Sequence, residues 1–239
     1  MREEPREPTT LDEEVLEAET GAILSTLSDD ERIRRMAGEL RDGFRALAHV
    51  ERAVSFFGSA RTAPDAPEYA VAREVARTLG EAGFAIITGG GPGIMEAANR
   101  GARDAGVESI GLEIDLPAEL GENDYLDLRL RFHYFFTRKV MFVRYASGFV
   151  VMPGGFGTLD ELFEALTLEQ TDKVHDFPIV LVCSGYWSGL LGWLRERMLG
   201  EGKIGAADLD LLQVTDDPAE VLDIVSAATH RQARRPLAD

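Results

Sequence analysis

Residues 84–99 read Phe84-Ala85-Ile86-Ile87-Thr88-Gly89-Gly90-Gly91-Pro92-Gly93-Ile94-Met95-Glu96-Ala97-Ala98-Asn99. A short apolar run, four glycines in five positions and then a helical pattern describe a strand that turns tightly into a helix. Glycines at such a junction permit close approach to the backbone. The first helical amides then point outward at the positive end of the helix dipole, a setting suited to phosphate. A plain tight turn explains one or two of these glycines and leaves the others without a reason. The run is neither the dinucleotide fingerprint nor a P-loop, because no Gly-Lys-Ser/Thr ending follows. A dinucleotide-dependent dehydrogenase and an NTPase are both disfavoured.

The same alternation extends in both directions. Strands are predicted at Ala53–Phe57, Phe84–Thr88, Glu108–Ile114, Leu126–Phe132, Gly148–Met152, Ile179–Cys183 and Leu211–Val214. Helical patterns lie between them, at about 67–82, 93–105, 136–146, 158–171, 187–200 and 218–230. Pro67 suits a first helical turn, and Asp217-Pro218 reads as an N-cap followed by an N1 proline. Apolar strands alternating with helices imply an α/β fold: a Rossmann-like, doubly wound, mostly parallel sheet with helices on both faces. A single such domain is expected over 50–232, with a short tail at 233–239. Ahead of it, 28–49 is predicted as a helix. Ser28-Asp29-Asp30-Glu31 forms its capping box, and Ile33, Met36, Leu40, Phe44 and Leu47 share one face. Residues 1–27 are rich in Asp and Glu with little apolar surface, and are expected to form a disordered acidic arm.

In sheets of this kind ligands bind beyond the carboxyl ends of the strands, so the turns after strands are the places to search. Gly58-Ser59-Ala60-Arg61 follows the first strand, with Ser59 offering a hydroxyl to a phosphate or ribose oxygen. Gly91 and Gly93 belong to the second turn. The third reads Pro153-Gly154-Gly155-Phe156-Gly157-Thr158-Leu159-Asp160-Glu161. Thr158 and Glu161 have the spacing of a capping box, so Glu161 can be read as a helix-start residue; the presence of two phosphate-type turns after different strands of one sheet, which a single small anion could touch, offers a second reading, as a site carboxylate. Arg138 and Lys139 begin a helix, where the dipole disfavours cations, and a bound anion would explain them better than dipole pairing does. The neighbouring Phe132, Phe135, Phe136, Phe142 and Tyr145 are expected to be mostly core, with one available to stack on a base.

Bulk properties narrow the partners. A net charge of -17 on 239 residues argues against nucleic-acid backbones and anionic membranes as partners. One cysteine, Cys183, excludes an intrachain disulfide and reads as a small core residue. His49, His133, His175 and His230 are scattered without metal-ligand spacing, so no metal site and no cofactor is expected. No segment has the pattern of a signal peptide or the length of a membrane span, and a cytoplasmic protein is expected.

Pro153-Gly154-Gly155-x-Gly157-Thr158-x-x-Glu161 resembles the signature of the LOG ("lonely guy") family of cytokinin riboside 5′-monophosphate phosphoribohydrolases, once labelled lysine decarboxylase-like. The likeness runs from about residue 53 to 215, with the Gly-Ser turn, the glycine-rich turn and the signature in the family's order. The stretch Gly91-Pro92-Gly93-Ile94-Met95-Glu96-Ala97-Ala98-Asn99 is similar to the family's longer-chain branch. The resemblance implies Arg138 and Glu161 as the catalytic pair. It implies Gly154, Gly155, Gly157 and Thr158 around a 5′-phosphate, with Lys139 and Asp160 nearby and Glu119 as a further substrate carboxylate. It also implies a homo-oligomer acting on a small nucleotide. Asp160 stands where plant members carry glutamate. Phe132-His133-Tyr134-Phe135-Phe136-Thr137 replaces the polar run those members place before Arg-Lys, which bears on the choice of base. A non-catalytic carrier of a nucleotide or phosphorylated cofactor is the alternative within the same fold. A pyridoxal-dependent decarboxylase would need a Schiff-base lysine, and nothing in the sequence marks one.

Overall fold

The computed structural model describes residues 7–17, 27–116, 121 and 123–234. Its sheet contains β1 (Ala53–Phe57), β2 (Ala85–Thr88), β3 (Ser109–Ile114), β4 (Leu128–Phe132), β5 (Phe149–Val151), β6 (Ile179–Leu181) and β7 (Leu212–Val214). All six pairings are parallel, in the order β4-β3-β2-β1-β5-β6-β7. The chain winds outward from β1 to β4, then returns to β5 on the other side of β1. That reversal is the topological switch point, where a doubly wound sheet opens a crevice for ligands.

The helices are α1 (Leu11–Glu17), α2 (Asp29–Ala46), α3 (Pro67–Glu81), α4 (Ile94–Ala105), α5 (Phe135–Tyr145), α6 (Phe156–Gln170), α7 (Ser184–Trp193), α8 (Ala206–Leu209) and α9 (Pro218–Arg234). Alternate strand residues feed two separate cores. Val54, Phe56, Ile86 and Val150 pack with α3, α4 and α9 through Tyr69, Val75, Ala98 and Val221. On the opposite face, Ala53, Phe57, Ile87, Phe149 and Val151 pack with α2, α5, α6 and α7 through Leu47, Phe142, Leu162 and Trp187. Because both faces are covered, every residue of β1, β5 and β6 is buried. This is why the central strands read as almost continuous apolar runs, broken in β1 only by the buried Ser55.

The strand and helix expectations hold to within a few residues at the ends, with instructive exceptions. The stretch expected as a disordered arm contains α1, whose first turn is closed by the Thr9 and Thr10 side chains with Glu13. The capping box at Ser28 is present, its amide and hydroxyl both donating to Glu31. Asp217 caps α9 by accepting from the Ala219 amide at 2.9 Å. The helix expected at 187–200 starts earlier, at Ser184, and continues beyond α7 as a π-helical segment over Leu194–Leu199. Cys183 packs against the edge of the core and is not fully buried within it. It is half-buried at φ +67°, just before α7, and burial pushes its thiol up to about 11, far from thiolate chemistry at neutral pH.

Gly93 joins two turns and has no freedom to change. Its φ is +69°, and a Cβ there would lie 2.4 Å from the Ser59 carbonyl oxygen. Strain and clash together are expected to cost Gly93→Ala at least about 2 kcal/mol. Thermal unfolding checks this, with a midpoint lowered by about 2–4 °C per kcal/mol for a chain of this size. A wild-type midpoint would contradict the tight joint.

Among the described residues, no helix is long and apolar enough to cross a membrane. Nor does any group of three or more His, Cys, Asp or Glu among them have the arrangement of a metal site.

Candidate active site

Three turns meet at the switch point. The Ser59 amide after β1 donates to the Pro153 carbonyl after β5 at 2.9 Å, and the Ile94 amide of α4 donates to the Ser59 carbonyl at 3.0 Å. Ser59 is therefore a backbone tie between the turns. Its hydroxyl accepts from the Arg61 amide at 3.0 Å, a local bond that the sequence pattern does not signal.

A buried polar network shapes the Gly89–Gly93 turn. Thr88 Oγ1 donates to Asn99 Oδ1 at 2.6 Å and accepts from the Gly90 amide at 2.9 Å. Asn123 Nδ2 bridges Asn99 Oδ1 at 3.0 Å and the Gly91 carbonyl at 3.2 Å. Leaving any of these buried groups without its partner would cost about 1–3 kcal/mol, so the network holds the glycines in one conformation. Sequence reasoning misses Thr88, Asn99 and Asn123. The signal that could have found them is three polar residues, at the end of β2, within α4 and in the loop between β3 and β4, all of them buried.

The signature turn after β5 enters α6 differently from expectation. Its N-cap is Gly155, with no side-chain cap, and the helix begins at Phe156. Thr158 is thus inside the first turn, its amide donating to the Gly155 carbonyl at 3.0 Å. The capping-box reading of Thr158 and Glu161 fails. Gly154 is required by Thr158 itself, whose Oγ1 would lie 2.1 Å from a Cβ at 154. Gly155 and Gly157 face no protein atom within 4 Å of such a Cβ, so chain packing does not account for them. The amides of Phe156 and Gly157 have no acceptor within the helix, as for any first turn, and aim outward at its positive end.

Glu161 lies one turn further along. Thr158, Glu161, Leu162 and Ala165 form the buried stripe of α6, at i, i+3, i+4 and i+7. Helical geometry therefore drives a carboxylate into the interior, at 3% exposure. The Glu161 Oε2 atom accepts no hydrogen bond among the described residues. Lys139 Nζ lies 3.5 Å from it. Burial pushes the Glu161 carboxyl up to about 7; Lys139 and Arg138 pull against that shift, while Glu164 and Asp160 add to it. A carboxyl poised near neutrality in a crevice is unusual for a structural residue and common for a functional one.

Arg138 and Lys139 come from α5, which Phe142 fastens to the sheet. The Phe142 ring lies 4.9 Å from that of Phe57 in an edge-on contact. One turn earlier, the Arg138 guanidinium is over the rings of Phe135 and Phe142, at 5.2 and 5.5 Å. It also reaches the glycine turn: a Cβ on Gly89 would be 3.9 Å from Arg138 Nη1. Burial lowers the Arg138 pKa from its ordinary value, opposed by Glu161, Asp160 and Asp12, and its Nε has no hydrogen-bond partner among the described residues. Lys139 is placed otherwise than expected. It is held by Glu164 at 2.8 Å, Asp160 at 2.9 Å and Glu161, so it serves carboxylates and not the glycine turns. Burial opposes its charge, but the bonds to Glu164 and Asp160 outweigh that and raise its pKa.

The structure thus brings together Ser59, Gly91, Gly93, Arg138, Lys139, Gly154, Gly155, Gly157, Thr158, Asp160 and Glu161 on adjoining turns and helix starts. Glu119 lies outside the described residues. Of the aromatics before Arg138, Phe132 and Tyr134 are core, whereas Phe135 and Phe136 are more than 40% exposed. Phe156, in the signature itself, is 92% exposed at the start of α6, a position the sequence pattern does not single out. Sequence reasoning also misses Tyr186; its hydroxyl donates to the Gly154 carbonyl at 2.7 Å and steadies the third turn from α7.

Residues 95–225 match the family described as possible lysine decarboxylase. The chain is 32% identical over 156 residues to a cytokinin riboside 5′-monophosphate phosphoribohydrolase of Mycobacterium tuberculosis, covering 64% of this chain and 82% of that protein. It is 28% identical over 163 residues to a probable cytokinin riboside 5′-monophosphate phosphoribohydrolase of Oryza sativa subsp. japonica, covering 66% and 70%. Among solved structures, a molybdenum cofactor carrier protein of Chlamydomonas reinhardtii superposes with a TM-score of 0.57 at 22% identity, over 75% of this chain and 99% of that one.

Proposed function

This chain belongs to the LOG family, whose matching description is possible lysine decarboxylase, and from that premise we propose that it hydrolyses the N-glycosidic bond of a nucleoside 5′-monophosphate. The products are the free base and ribose 5-phosphate, and AMP or a cytokinin riboside 5′-monophosphate is the proposed type of substrate. The observation that carries this reading is Glu161: a buried carboxyl, without a hydrogen-bond donor at Oε2, beside outward-facing amides that suit a sugar phosphate.

Cleaving the bond moves its electron pair onto the base and builds positive charge on C1′ and the ring oxygen. The ionised Glu161 stabilises that charge, then orients the water whose oxygen adds to C1′ and whose proton it accepts; the departing base nitrogen takes up a proton from solvent, and Glu161 returns its own to solvent. Arg138 holds the phosphate or ribose and restrains the glutamate. The first-turn amides of α6 take the 5′-phosphate, so that binding energy remote from C1′ positions the reacting carbon. Lys139 keeps the cluster of Asp160, Glu161 and Glu164 from repelling itself apart.

The family description does not transfer as decarboxylase chemistry. A Schiff-base lysine must present a neutral amine, which needs a lowered pKa. Lys139 is surrounded by carboxylates that raise its pKa, and the two other lysines, Lys173 and Lys203, are exposed.

A pH profile of base release tests the proposal. The rate constant kcat/KM for AMP is expected to rise with pH and level off above an apparent pKa near 7, as Glu161 ionises. A profile flat from about pH 5 to 9 would remove Glu161 from the mechanism. Binding of nucleotides without any base release would favour the carrier alternative instead.

A further inference from the structure

The first turn of α5 contains no acidic residue, yet Arg138 closes it and Lys139 follows directly, near the end of the helix that repels cations. Negative charge reaches this helix start from two other elements: Glu39 of α2 accepts from the His133 amide at 2.7 Å and from the Thr137 hydroxyl at 2.6 Å, and a second carboxylate comes from the N-terminal segment. Asp12, on α1, accepts a hydrogen bond from the Phe135 amide, the first residue of α5, at 3.1 Å. That amide is one of the donors a helix start leaves without an internal partner, so Asp12 acts as a cap supplied from 123 residues away.

The segment that carries Asp12 is anchored independently of it. Glu14 is 5% exposed and lies 3.7 Å from Arg35 Nη1 of α2. Leu11 lines a cavity of about 400 Å³ together with Gly38 and Gly43 of α2 and with Phe132 and His133 before α5. The Thr10 hydroxyl accepts from the Glu13 amide at 3.1 Å, which fixes the start of α1 and therefore the direction in which Asp12 projects. Phe135, whose amide Asp12 holds, also places its ring 5.2 Å from the Arg138 guanidinium. Asp12 and Arg138 attract each other electrostatically as well.

We propose that Asp12 is a positioning residue of the active site, which clamps the first turn of α5 through the Phe135 amide and so holds Arg138 against the glycine turn. Its catalytic part rests on the hydrolase reading above, because Arg138 must contact substrate for its placement to matter. The N-terminal segment thereby becomes part of the enzyme's working structure. Displacing α1 loosens Arg138 without removing any group that touches the nucleotide.

The test combines kinetics with hydrogen exchange on the whole 239-residue chain. In Asp12→Ala, amide exchange over residues 134–139 is expected to rise, and kcat for AMP to fall roughly tenfold with a smaller change in KM, less than the ~100-fold that a one-ångström misplacement can cost. Asp12→Asn keeps an oxygen acceptor for the Phe135 amide and is expected to recover most of that loss. A merely destabilised protein would instead lower the active fraction of both variants without a selective change at 134–139. Unchanged exchange there in Asp12→Ala overturns the clamp, whatever the kinetics. Raised exchange with wild-type kcat and KM overturns the positioning role. Should the wild type release no base from any nucleotide, the hydrolase reading fails separately, and with it the catalytic part of the proposal; exchange at 134–139 then decides the clamp alone.

Discussion

Glu161→Gln is expected to lower kcat for base release by about 10³-fold while nucleotide affinity stays within a few-fold of wild type. Glutamine matches the carboxyl in shape but cannot carry the charge that the developing cation at C1′ requires. The binding groups, which are the turn amides and Arg138, remain in place. The folding control follows from the same burial. A carboxyl held near 7 in the folded protein, against 4.5 unfolded, keeps its proton when the unfolded chain has released it. Wild-type stability therefore falls as pH rises from about 4.5 to 7, by about 3 kcal/mol in all. Glutamine escapes that loss, so the variant is expected to melt no lower than wild type at about pH 8. Full activity in Glu161→Gln, or a large fall in its melting temperature, would remove the residue from the chemistry and make it structural.

Arg138→Ala is expected to reduce kcat/KM by about 10²-fold, the scale of one well-aligned charge-stabilising donor. It should also leave a trace that a packing defect would not. Arg138 favours the ionised form of Glu161, so its loss raises the Glu161 pKa further, and the acid limb of the pH profile moves above 7. Arg138→Lys is not expected to restore activity, because an ammonium lacks the planar fork and the flat face that lies over Phe135 and Phe142. An unshifted limb in Arg138→Ala would mean that the guanidinium and the carboxyl do not act as a pair.

The fold was legible because its physics is local. Strands buried on both faces must be apolar throughout, as β1 nearly is, and the glycines after β1, β2 and β5 mark where each run stops. The helices of the two outer layers carry one apolar stripe each. The site was legible as a set of turns, yet not as a set of contacts. Thr158-x-x-Glu161 fits a capping box and equally fits two positions of a buried helical stripe; the helix start at Phe156, set by the turn's place on β5, decides between them. Lys139 reads as a phosphate ligand until α6 brings Asp160 and Glu164 to it, the latter from 25 residues along the chain. Asp12 gives no sequence signal at all, since its partner Phe135 lies 123 residues away. What chain-local patterns omit is the burial and the pairing of distant charges, and in this protein burial sets the properties of Glu161 and Arg138 while the pairings oppose it.

One measurement bears most directly on the claim that Glu161 faces the anomeric carbon of a sugar phosphate. A panel of nucleoside 5′-monophosphates is incubated with wild type and with Glu161→Gln, and released base and ribose 5-phosphate are quantified by chromatography. The expected result is equal amounts of both products from at least one nucleotide with wild type, and neither product from the variant although it still binds that nucleotide. Intact nucleotides recovered from wild type across the whole panel, or equal turnover by the two proteins, would contradict it.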